Sequence, residues 1–378
     1  MNEHGNNQAR PESDAAAERQ NNQAASPRTE TPAAEAPVDV IAIAREATLR
    51  EQEAAGMSGA IKLIAPAKVN LFLGIGALRD DGFHEALNVM HAVNLHDVLT
   101  MRVRPAEDAG AAAADGGAAP EAPLVRTALV AREGLEAPEV ASDDNIASKA
   151  VRALAQAIAA REGTATGTVP ALPPLDIRIE KHIPHQAGLG GGSSDAAAAL
   201  VGAARLWGLD SNDPLIEDVA HGIGADVAFF LHGGCACFVG AGERFDHELV
   251  PMKHTLVLIK PQQGVSTSAA YRTFDEAPVP IPADVADAAR SAQSANDVPL
   301  GNNLAPAAER LLPELAGVRS WALAEPGIQD ALLCGSGSAT FAVCEGFDAA
   351  ARVAAAARAR GWWARTTAFG SAKAAIVL

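Results

Sequence analysis

A glycine-rich segment between a predicted strand and a predicted helix constrains the fold of this chain most. PHQAGLGGGSSDAAA, residues 184–198, follows the alternating LDIRIEK and precedes an alanine-rich run. Glycines adopt positive φ and let a ligand approach closely, so that successive backbone N–H groups can face an anion. The following helix is predicted to begin at Ser193 or Ser194, whose hydroxyls would cap it, with its positive N-terminus toward the ligand. The segment therefore predicts a phosphate site built from backbone.

Two well-known phosphate loops do not fit this segment. A P-loop contains a lysine before its serine or threonine, whereas Gly188 to Ser194 contains no lysine. A dinucleotide-binding loop needs a third glycine and, about 20 residues later, an acidic residue at a strand end. Ser193 replaces that glycine, and the later segment, Gly208 to Pro214, is typical of a turn between helices. The predicted phosphate site is therefore of another type.

Charge and cysteine spacing argue against several classes of protein. The 378 residues include 46 acidic and 30 basic ones, a formal charge of −16, which disfavours a nucleic-acid or anionic-membrane surface. The sequence shows no basic and apolar leader and no apolar run near the roughly 20 residues of a membrane span. We therefore expect a cytoplasmic protein. Its cysteines form no C-x-x-C pair or zinc quartet and are interpreted as buried free thiols: Cys235, Cys237, Cys334 and Cys344.

Two segments have the composition of irregular chain. Residues 1–59 contain few aromatic or branched aliphatic side chains and are predicted to be a disordered extension, with a loose helix over Val38 to Ala55. Residues 106–123 interrupt structured sequence and predict a surface insertion without secondary structure. The other strands and helices alternate irregularly, which predicts a mixed α and β fold.

Two pairs of residues near the start of the ordered sequence are candidate ligands of a substrate. The alternation in KVNLFLGI predicts a half-buried strand with Lys68 and Asn70 on one face. These side chains suit phosphate or hydroxyl oxygens, although the alternation alone favours an ordinary solvated face. Phe83 and His84 follow a predicted turn and either bind a planar base or serve only packing and capping.

Three later features are further candidates for a ligand site. Asn145 precedes a predicted helix and is expected to cap it. Asp226 lies in an apolar run, where it either caps a helix or faces a cation and a substrate hydroxyl. Gly335 and Gly337 separate two predicted strands, as a tight turn or as a second backbone approach to the ligand.

Three motifs together resemble those of the GHMP kinase superfamily. APAKVNLFLGI is similar to the first, PHQAGLGGGSSDAAAAL to the second, which is the ATP phosphate loop, and LLCGSGSATFAV to the third. The resemblance implies an α+β, two-domain GHMP kinase fold. Its N-terminal domain, residues 60–251, would resemble domain 2 of ribosomal protein S5, and residues 252–378 would form a ferredoxin-like C-terminal domain. The substrates would meet in the cleft between the two domains.

The resemblance also implies roles for the candidate residues. Lys68 and Asp226 would be catalytic, and Asn70 would lie near the substrate hydroxyls. The ATP site would comprise Asn145, Lys181, Pro184, Gly188, Leu189, Gly190, Gly191, Gly192, Ser193 and Ser194. Mg²⁺ would bridge the β- and γ-phosphates, with Ser193, Ser194 or Asp195 as alternative contacts.

The stretch from Arg79 to His84 narrows the implied substrate. It resembles the R-x-D-G-F/Y-H stretch of kinases that phosphorylate a cytidyl diphosphate sugar alcohol in non-mevalonate isoprenoid synthesis, with Phe83 and His84 on the cytosine. The expected partners are this small molecule and ATP, with no nucleic acid and no membrane, and we expect a monomer or weak homodimer. Three positions differ from the residue common in such kinases: Phe83 replaces tyrosine, His91 glutamine and Asn303 aspartate.

Three rival functions are weighed against this one. A kinase of homoserine or mevalonate would have no use for the stretch from Arg79 to His84. A nucleotide-binding protein without activity would have no need to retain Lys68 and Asp226. A nicotinamide-dependent oxidoreductase is disfavoured by the failed dinucleotide-binding pattern.

Overall fold

The computed structural model describes residues 59–105, 124–132, 135, 139–166 and 171–377. The predicted insertion at 106–123 and the predicted extension, apart from Gly59 and including the helix over Val38 to Ala55, lie outside these residues. Twelve strands in the described part are β1 Ile61–Leu78, β2 His84–Val103, β3 Val125–Ala131, β4 Leu175–Lys181, β5 Cys235–Val239, β6 Arg244–Leu249, β7 Thr255–Lys260, β8 Gly301–Asn302, β9 Ile328–Leu333, β10 Thr340–Cys344, β11 Trp363–Ala368 and β12 Ala375–Ile376.

Nine α-helices of the described part pack on these strands. They are α1 Ile146–Thr166, α2 Gly191–Trp207, α3 Pro214–Ile223, α4 Ala225–His232, α5 Thr267–Glu276, α6 Ala283–Ser291, α7 Ala305–Leu311, α8 Glu314–Ala324 and α9 Phe347–Ala359. Asn145 accepts a hydrogen bond at Oδ1 from the Ala147 N–H, 2.9 Å away, and so caps α1 as predicted. No helix in the described ranges has the length and apolar content that a bilayer crossing requires.

The strands form two sheets. In the larger one the order is β12-β1-β2-β4-β3, with β5 between β2 and β6 and with β8 against β1. The smaller sheet has the order β11-β7-β10-β9, and all its pairs are antiparallel. Numbered along the chain, that order is 4-1-3-2, with helices between the first and second strands and between the third and fourth. This is the β-α-β-β-α-β ferredoxin-like arrangement, so the predicted α+β class and C-terminal topology are confirmed.

The burial of β1 differs from the prediction. Lys68 and Asn70 share a face, but they are buried, with 3% and 1% of their surface exposed. Register shifts against β2 between Pro66 and Ala67 and again between Asn70 and Phe72 mark bulges, which rotate the strand. The strand therefore passes from one hydrophobic core to a second and is covered on both faces. The solvated face favoured by simple alternation is wrong.

The start of α2 also differs from the prediction. The helix begins at Gly191, and neither Ser193 nor Ser194 caps it. Gly190 occupies the capping position with φ 72°, a left-handed conformation suited to glycine, and accepts a hydrogen bond from Ser194 N at 2.9 Å. The serines therefore lie inside the first turn, because glycine supplies the change of direction that a serine cap was expected to make.

His91 joins β2 to the segment between β6 and β7. Its Nδ1 donates to the Ala92 carbonyl at 2.8 Å, and its Nε2 accepts from the Met252 N–H at 3.1 Å. A carbonyl only accepts and a backbone N–H only donates, so these bonds fix the neutral tautomer. Burial is the main cause that lowers the pKa of His91 to about 4.

This histidine makes stability depend on pH. Its folded pKa lies below the unfolded value of 6.5, so its contribution is complete above pH 6.5 and is lost as the pH falls toward 4. We expect the free energy of unfolding to fall by about 2 kcal/mol from this group between pH 7 and pH 5. In His91→Gln the amide can make both hydrogen bonds without titrating. Urea denaturation of both proteins at the two pH values should show the smaller decrease in the variant, and equal decreases would contradict the assignment.

The four cysteines are buried and free, as predicted: Cys235, Cys237, Cys334 and Cys344.

The hydrogen bonds of Asn303 explain why asparagine stands here where aspartate is common. Its Nδ2 donates to the carbonyls of Ile75 and Val279 at 2.9 and 2.8 Å, and its Oδ1 accepts from Ile75 N at 2.8 Å. A carboxylate has no proton for the first two bonds, so the local contacts of this chain suit asparagine.

Candidate active site

A cavity of about 620 Å³ lies where the three motifs meet. Fourteen of the residues singled out in the sequence line it: Lys68, Asn70, Asn145, Lys181, Pro184, Gly188, Leu189, Gly190, Gly191, Gly192, Ser193, Asp195, Asp226 and Gly335. Ser194 is completely buried behind the wall, and Phe83 and His84 do not line this cavity. The structure therefore brings the predicted catalytic and ATP-binding residues together from β1, α1, β4, α2 and α4.

Lys68 and Asp226 form an ion pair in this cavity. Lys68 Nζ lies 3.3 Å from Asp226 Oδ2 and donates to Asn70 Oδ1 at 2.8 Å. Asn70 Nδ2 in turn donates to Asn88 Oδ1 at 2.8 Å, which fixes the orientation of the amide. Asp226 lies in the first turn of α4, whose capping residue is Gly224. Asp226 therefore faces a cation and does not occupy the capping position, while its contact with a substrate hydroxyl remains a prediction.

The glycine loop packs directly on β1. The Lys68 N–H donates to the Leu189 carbonyl at 3.0 Å, and Gly188 and Gly190 have φ of 73° and 72°. An ideal Cβ at Gly190 would lie 2.6 Å from Phe230 Cζ and 3.1 Å from Lys68 Cγ. Glycine is required there both for the backbone conformation and for the space. The loop consequently lies beside the backbone and the side chain of Lys68.

The third motif supports the glycine loop from behind. Ser338 N donates to the Gln186 carbonyl at 3.1 Å, and Ala339 N donates to the Ala187 carbonyl at 3.0 Å. Gly335, with φ 54°, lies in the turn between β9 and β10 and would place a Cβ only 3.7 Å from Lys68 Nζ. The two alternatives for this segment are therefore compatible, because it is a tight turn that also borders the cavity.

Lys181 is held by two aspartates. Its Nζ donates to Asp195 Oδ2 at 2.6 Å and also to Asp97 Oδ2. Burial opposes the charge of Lys181, but the nearby charges of Asp195 and Asp97 outweigh it and raise the pKa of the ammonium. For Asp195, burial dominates and raises the pKa of the carboxyl despite the ammonium. One cation shared by two buried carboxylates leaves a local excess of negative charge.

His84 is the first residue of β2, and Phe83 directly precedes it. The Phe83 side chain is exposed, at 65% of its surface. His84 contacts the Gly76 carbonyl through Nδ1 at 3.0 Å and Asp275 Oδ1 through Nε2 at 2.9 Å. The Tyr271 ring centroid lies 5.7 Å from that of His84. His84 borders a second cavity, of about 1000 Å³, while Tyr271 borders the first, so the two cavities adjoin at this pair of rings.

Sequence reasoning missed several contributors to the site. Asn88 lies within a long strand, where no local pattern marks it. Tyr271 is the single tyrosine of the chain, and this rarity was a signal that could have drawn attention to it. Burial raises the pKa of Tyr271 to about 12, followed by the charge of Asp226, so its hydroxyl stays protonated. Asp97 is separated from Lys181 by much of the domain, and only the pairing of β2 with β4 brings the two together.

Known proteins are similar to this chain in sequence and in structure. The family model for the GHMP kinases N terminal domain matches residues 145–234, and that for the GHMP kinases C terminal matches 284–361. The 4-diphosphocytidyl-2-C-methyl-D-erythritol kinase of Desulfitobacterium hafniense is 35% identical over 306 residues, covering 80% of this chain and 93% of the relative. The enzyme of that name from Streptomyces coelicolor is 35% identical over 322 residues, covering 83% and 97%.

The solved structures agree with these relatives. A crystal structure of 4-(cytidine 5'-diphospho)-2C-methyl-D-erythritol kinase is 31% identical and aligns with a TM-score of 0.59 over 82% of this chain and 100% of the other. Homoserine kinase from Cytophaga hutchinsonii shares the fold, with 20% identity and a TM-score of 0.57 over 85% and 98%. The identity and coverage of the sequence relatives settle the kinship: the chain belongs to the 4-diphosphocytidyl-2-C-methyl-D-erythritol kinase family of GHMP kinases.

Proposed function

We propose that this protein transfers the γ-phosphoryl group of ATP to the 2-hydroxyl of 4-diphosphocytidyl-2-C-methyl-D-erythritol, a step of isoprenoid precursor synthesis. The observation that carries the proposal is the Lys68–Asp226 ion pair beside the glycine loop, in one cavity. A cation near a phosphate loop and a carboxylate near an acceptor hydroxyl are the groups that phosphoryl transfer to an alcohol requires. The family relatives supply the identity of the acceptor.

The backbone and Lys68 would stabilise the transferred group. Phosphoryl transfer passes through a loose, highly charged transition state, so positive charge and positioning contribute most of the rate. The N-terminus of α2 carries roughly half a positive charge and begins directly after the glycine loop. Lys68 adds a full charge next to the same loop. The triphosphate would therefore be held by backbone N–H groups and one ammonium.

Asp226 would act on the acceptor hydroxyl. Its carboxylate lies 3.3 Å from Lys68 Nζ and is still partly accessible, at 29% of the side chain. Asp226 would accept the proton of the 2-hydroxyl at Oδ1 or Oδ2 as the hydroxyl oxygen attacks the γ-phosphorus. The bond between the γ-phosphorus and the β,γ-bridging oxygen would break, and ADP would leave with that bridging oxygen.

The residues present fit a magnesium ion. Ser194 Oγ and Asp195 Oδ1 are buried and have no hydrogen-bond partner among the described residues, and hydroxyl and carboxylate oxygens are the ligands that Mg²⁺ prefers. Ser193 and Asp195, which line the cavity, would hold the ion directly or through water, and Ser194, behind the wall, would reach it only through water. A bound Mg²⁺ would neutralise charge on the β- and γ-phosphates.

The cytosine would bind between Phe83 and Tyr271, next to His84. Both nitrogens of His84 face oxygen acceptors in this structure, so the base would replace the partly exposed Asp275 carboxylate as a partner of His84. Stacking requires only an aromatic ring, so phenylalanine at position 83 serves as well as tyrosine. The predicted cytoplasmic location and the monomer or weak homodimer remain predictions.

Replacement of Phe83 tests this assignment of the cytosine site. Phe83→Ala is expected to raise the KM for the cytidyl substrate through the loss of about 1 to 3 kcal/mol of base stacking, while the KM for ATP stays the same. Steady-state kinetics with each substrate varied in turn measures both values. Phe83→Tyr is the matched control and should keep the wild-type KM. An unchanged KM in Phe83→Ala would show that cytosine binds elsewhere.

Phosphorus NMR tests the reaction itself. The purified protein is incubated with ATP, magnesium and 4-diphosphocytidyl-2-C-methyl-D-erythritol, with homoserine and mevalonate in parallel tubes. A new phosphomonoester resonance with the cytidyl substrate alone is the expected result. Phosphorylation of homoserine or mevalonate instead would support kinase activity but contradict the proposed cytosine site.

A further inference from the structure

Asp97 is a completely buried carboxylate just outside the active-site cavity. It lies on β2, with 0% of its surface exposed, and does not line the cavity. Its Oδ2 accepts from Lys181 Nζ, and its Oδ1 accepts from the backbone N–H groups of His182 and Ile183, the latter at 2.8 Å. These two N–H groups immediately follow β4, where the chain turns toward the glycine loop.

The partner of Asp97 also reaches the other end of that loop. The Lys181 ammonium donates to Asp195 on the first turns of α2, so one cation joins the strand before the loop to the helix after it. Asp97 lies under the same junction, because an ideal Cβ at Gly191 would stand 3.5 Å from Asp97 Oδ2 and 3.0 Å from Ile183 Cγ2. The buried set Asp97, Lys181 and Asp195, called here the loop clamp, therefore fixes the distance between the two ends of the phosphate loop.

We propose that Asp97 is a positioning residue for ATP: by holding Lys181 and the N–H groups of His182 and Ile183, it sets the shape of the glycine loop that binds the phosphates. This inference rests on the proposed function only in taking the loop as the ATP phosphate site. A buried ion pair is by itself weak evidence for a stabilising role, because desolvation offsets much of its attraction. The placement of all four contacts at the two ends of one ligand loop indicates that the clamp serves ligand geometry.

The test compares two carboxylates that join the same two strands. In Asp97→Asn the amide oxygen can still accept from the backbone N–H groups, while the charge that holds Lys181 is lost. Asp176 on β4 pairs with Arg102 on β2 and with Arg104 just after that strand, at 3.1 and 2.8 Å, and lies outside the cavity, so Asp176→Asn is the matched control. For each variant, the KM values for ATP and for the cytidyl substrate, kcat and the Kd of ADP by calorimetry are measured.

We expect Asp97→Asn to raise the KM for ATP and the Kd of ADP by about 10-fold. Loss of the charge that holds Lys181 would displace the phosphate loop, and small displacements of positioning groups cost about one to two orders of magnitude in activity. The KM for the cytidyl substrate should stay near the wild-type value, and Asp176→Asn should leave all four quantities unchanged. A merely structural role would lower the melting temperature without separating the two KM values. An ADP affinity of Asp97→Asn within twofold of the wild type overturns the proposal.

Two further results separate this proposal from the proposed function. If the wild-type protein binds ADP but does not phosphorylate the cytidyl substrate, the function fails, while the ADP measurement still decides the role of Asp97. If Asp97→Asn does not fold, Asp195→Asn removes the other carboxylate of the clamp. Because Asp195 is also a proposed magnesium contact, the ADP affinity of this variant is measured without magnesium, and the same loss of nucleotide affinity is expected. Wild-type ADP affinity in a folded Asp195→Asn would then overturn the proposal.

Discussion

Asp226→Asn is expected to lower kcat by about 10²- to 10⁴-fold, the usual contribution of a general base, and to leave nucleotide binding almost unchanged. Asparagine has nearly the same size but cannot take the proton of the acceptor hydroxyl. Removal of the charge also leaves Lys68 without the carboxylate that lies 3.3 Å away. The free ammonium remains available to the phosphates, so the Kd of ADP should not rise.

Single-turnover kinetics and calorimetry with ADP measure these two effects separately. Asp284→Asn provides a matched control, because Asp284 is the second residue of α6 as Asp226 is the second residue of α4, but it is exposed and lies outside both cavities. The control should retain full activity. A folded Asp226→Asn with wild-type turnover would exclude Asp226 as the base.

Gly188→Ala is expected to have the largest effect on stability and to abolish ATP binding. Gly188 has φ 73°, and an ideal Cβ there would lie 1.9 Å from the Cys334 carbonyl oxygen and 3.2 Å from that of Gly337. Both obstacles are backbone atoms, which cannot rotate away as the end of a side chain can. The glycine loop and the third motif would have to separate, which breaks the support of the phosphate site.

Gly208→Ala separates the clash from the backbone strain. Gly208 also has positive φ, 77°, but an ideal Cβ there meets no described atom within 4 Å. The free energy of unfolding of this control should fall only by the cost of a left-handed backbone conformation in alanine, about 1 to 2 kcal/mol. The free energy of unfolding of Gly188→Ala should fall by on the order of 3 kcal/mol more, which is the upper range for overpacking. Chemical denaturation measures the free energy of unfolding of both variants. Equal decreases would show that the glycine loop and the third motif can separate without a loss of stability.

The sequence was informative where chemistry depends on neighbouring residues. The position of the glycine loop between a strand and a helix, the asparagine cap of α1, the free cysteines and the turn before Phe83 are local features, and these predictions are confirmed. Phosphate binding by the loop remains a prediction. The order of strands in the smaller sheet followed from a family resemblance, since no local pattern encodes it. The ion pair of Lys68 and Asp226 also joins distant segments, and alternation in β1 alone suggested a solvated lysine.

The errors have identifiable physical causes. Two bulges in β1 changed which residues are covered, and bulges leave little trace in a hydrophobic pattern. A left-handed glycine replaced the serine cap of α2, because the segment contains both kinds of capping residue in sequence. Tyr271 and Asp97 reach the site through packing of α5 and pairing of β2 with β4, which depend on the whole fold.

The pairing of β1 has a consequence for how this enzyme can be divided. Its partners include β8 and β12, which come from the last third of the chain, after the smaller sheet has begun. A fragment ending at the predicted boundary after residue 251 would lose both strands. It would also leave the Gln186 and Ala187 carbonyls without their donors from the third motif. The two halves predicted from the sequence therefore share the larger sheet, and we expect a fragment that ends after residue 251 to lose nucleotide binding.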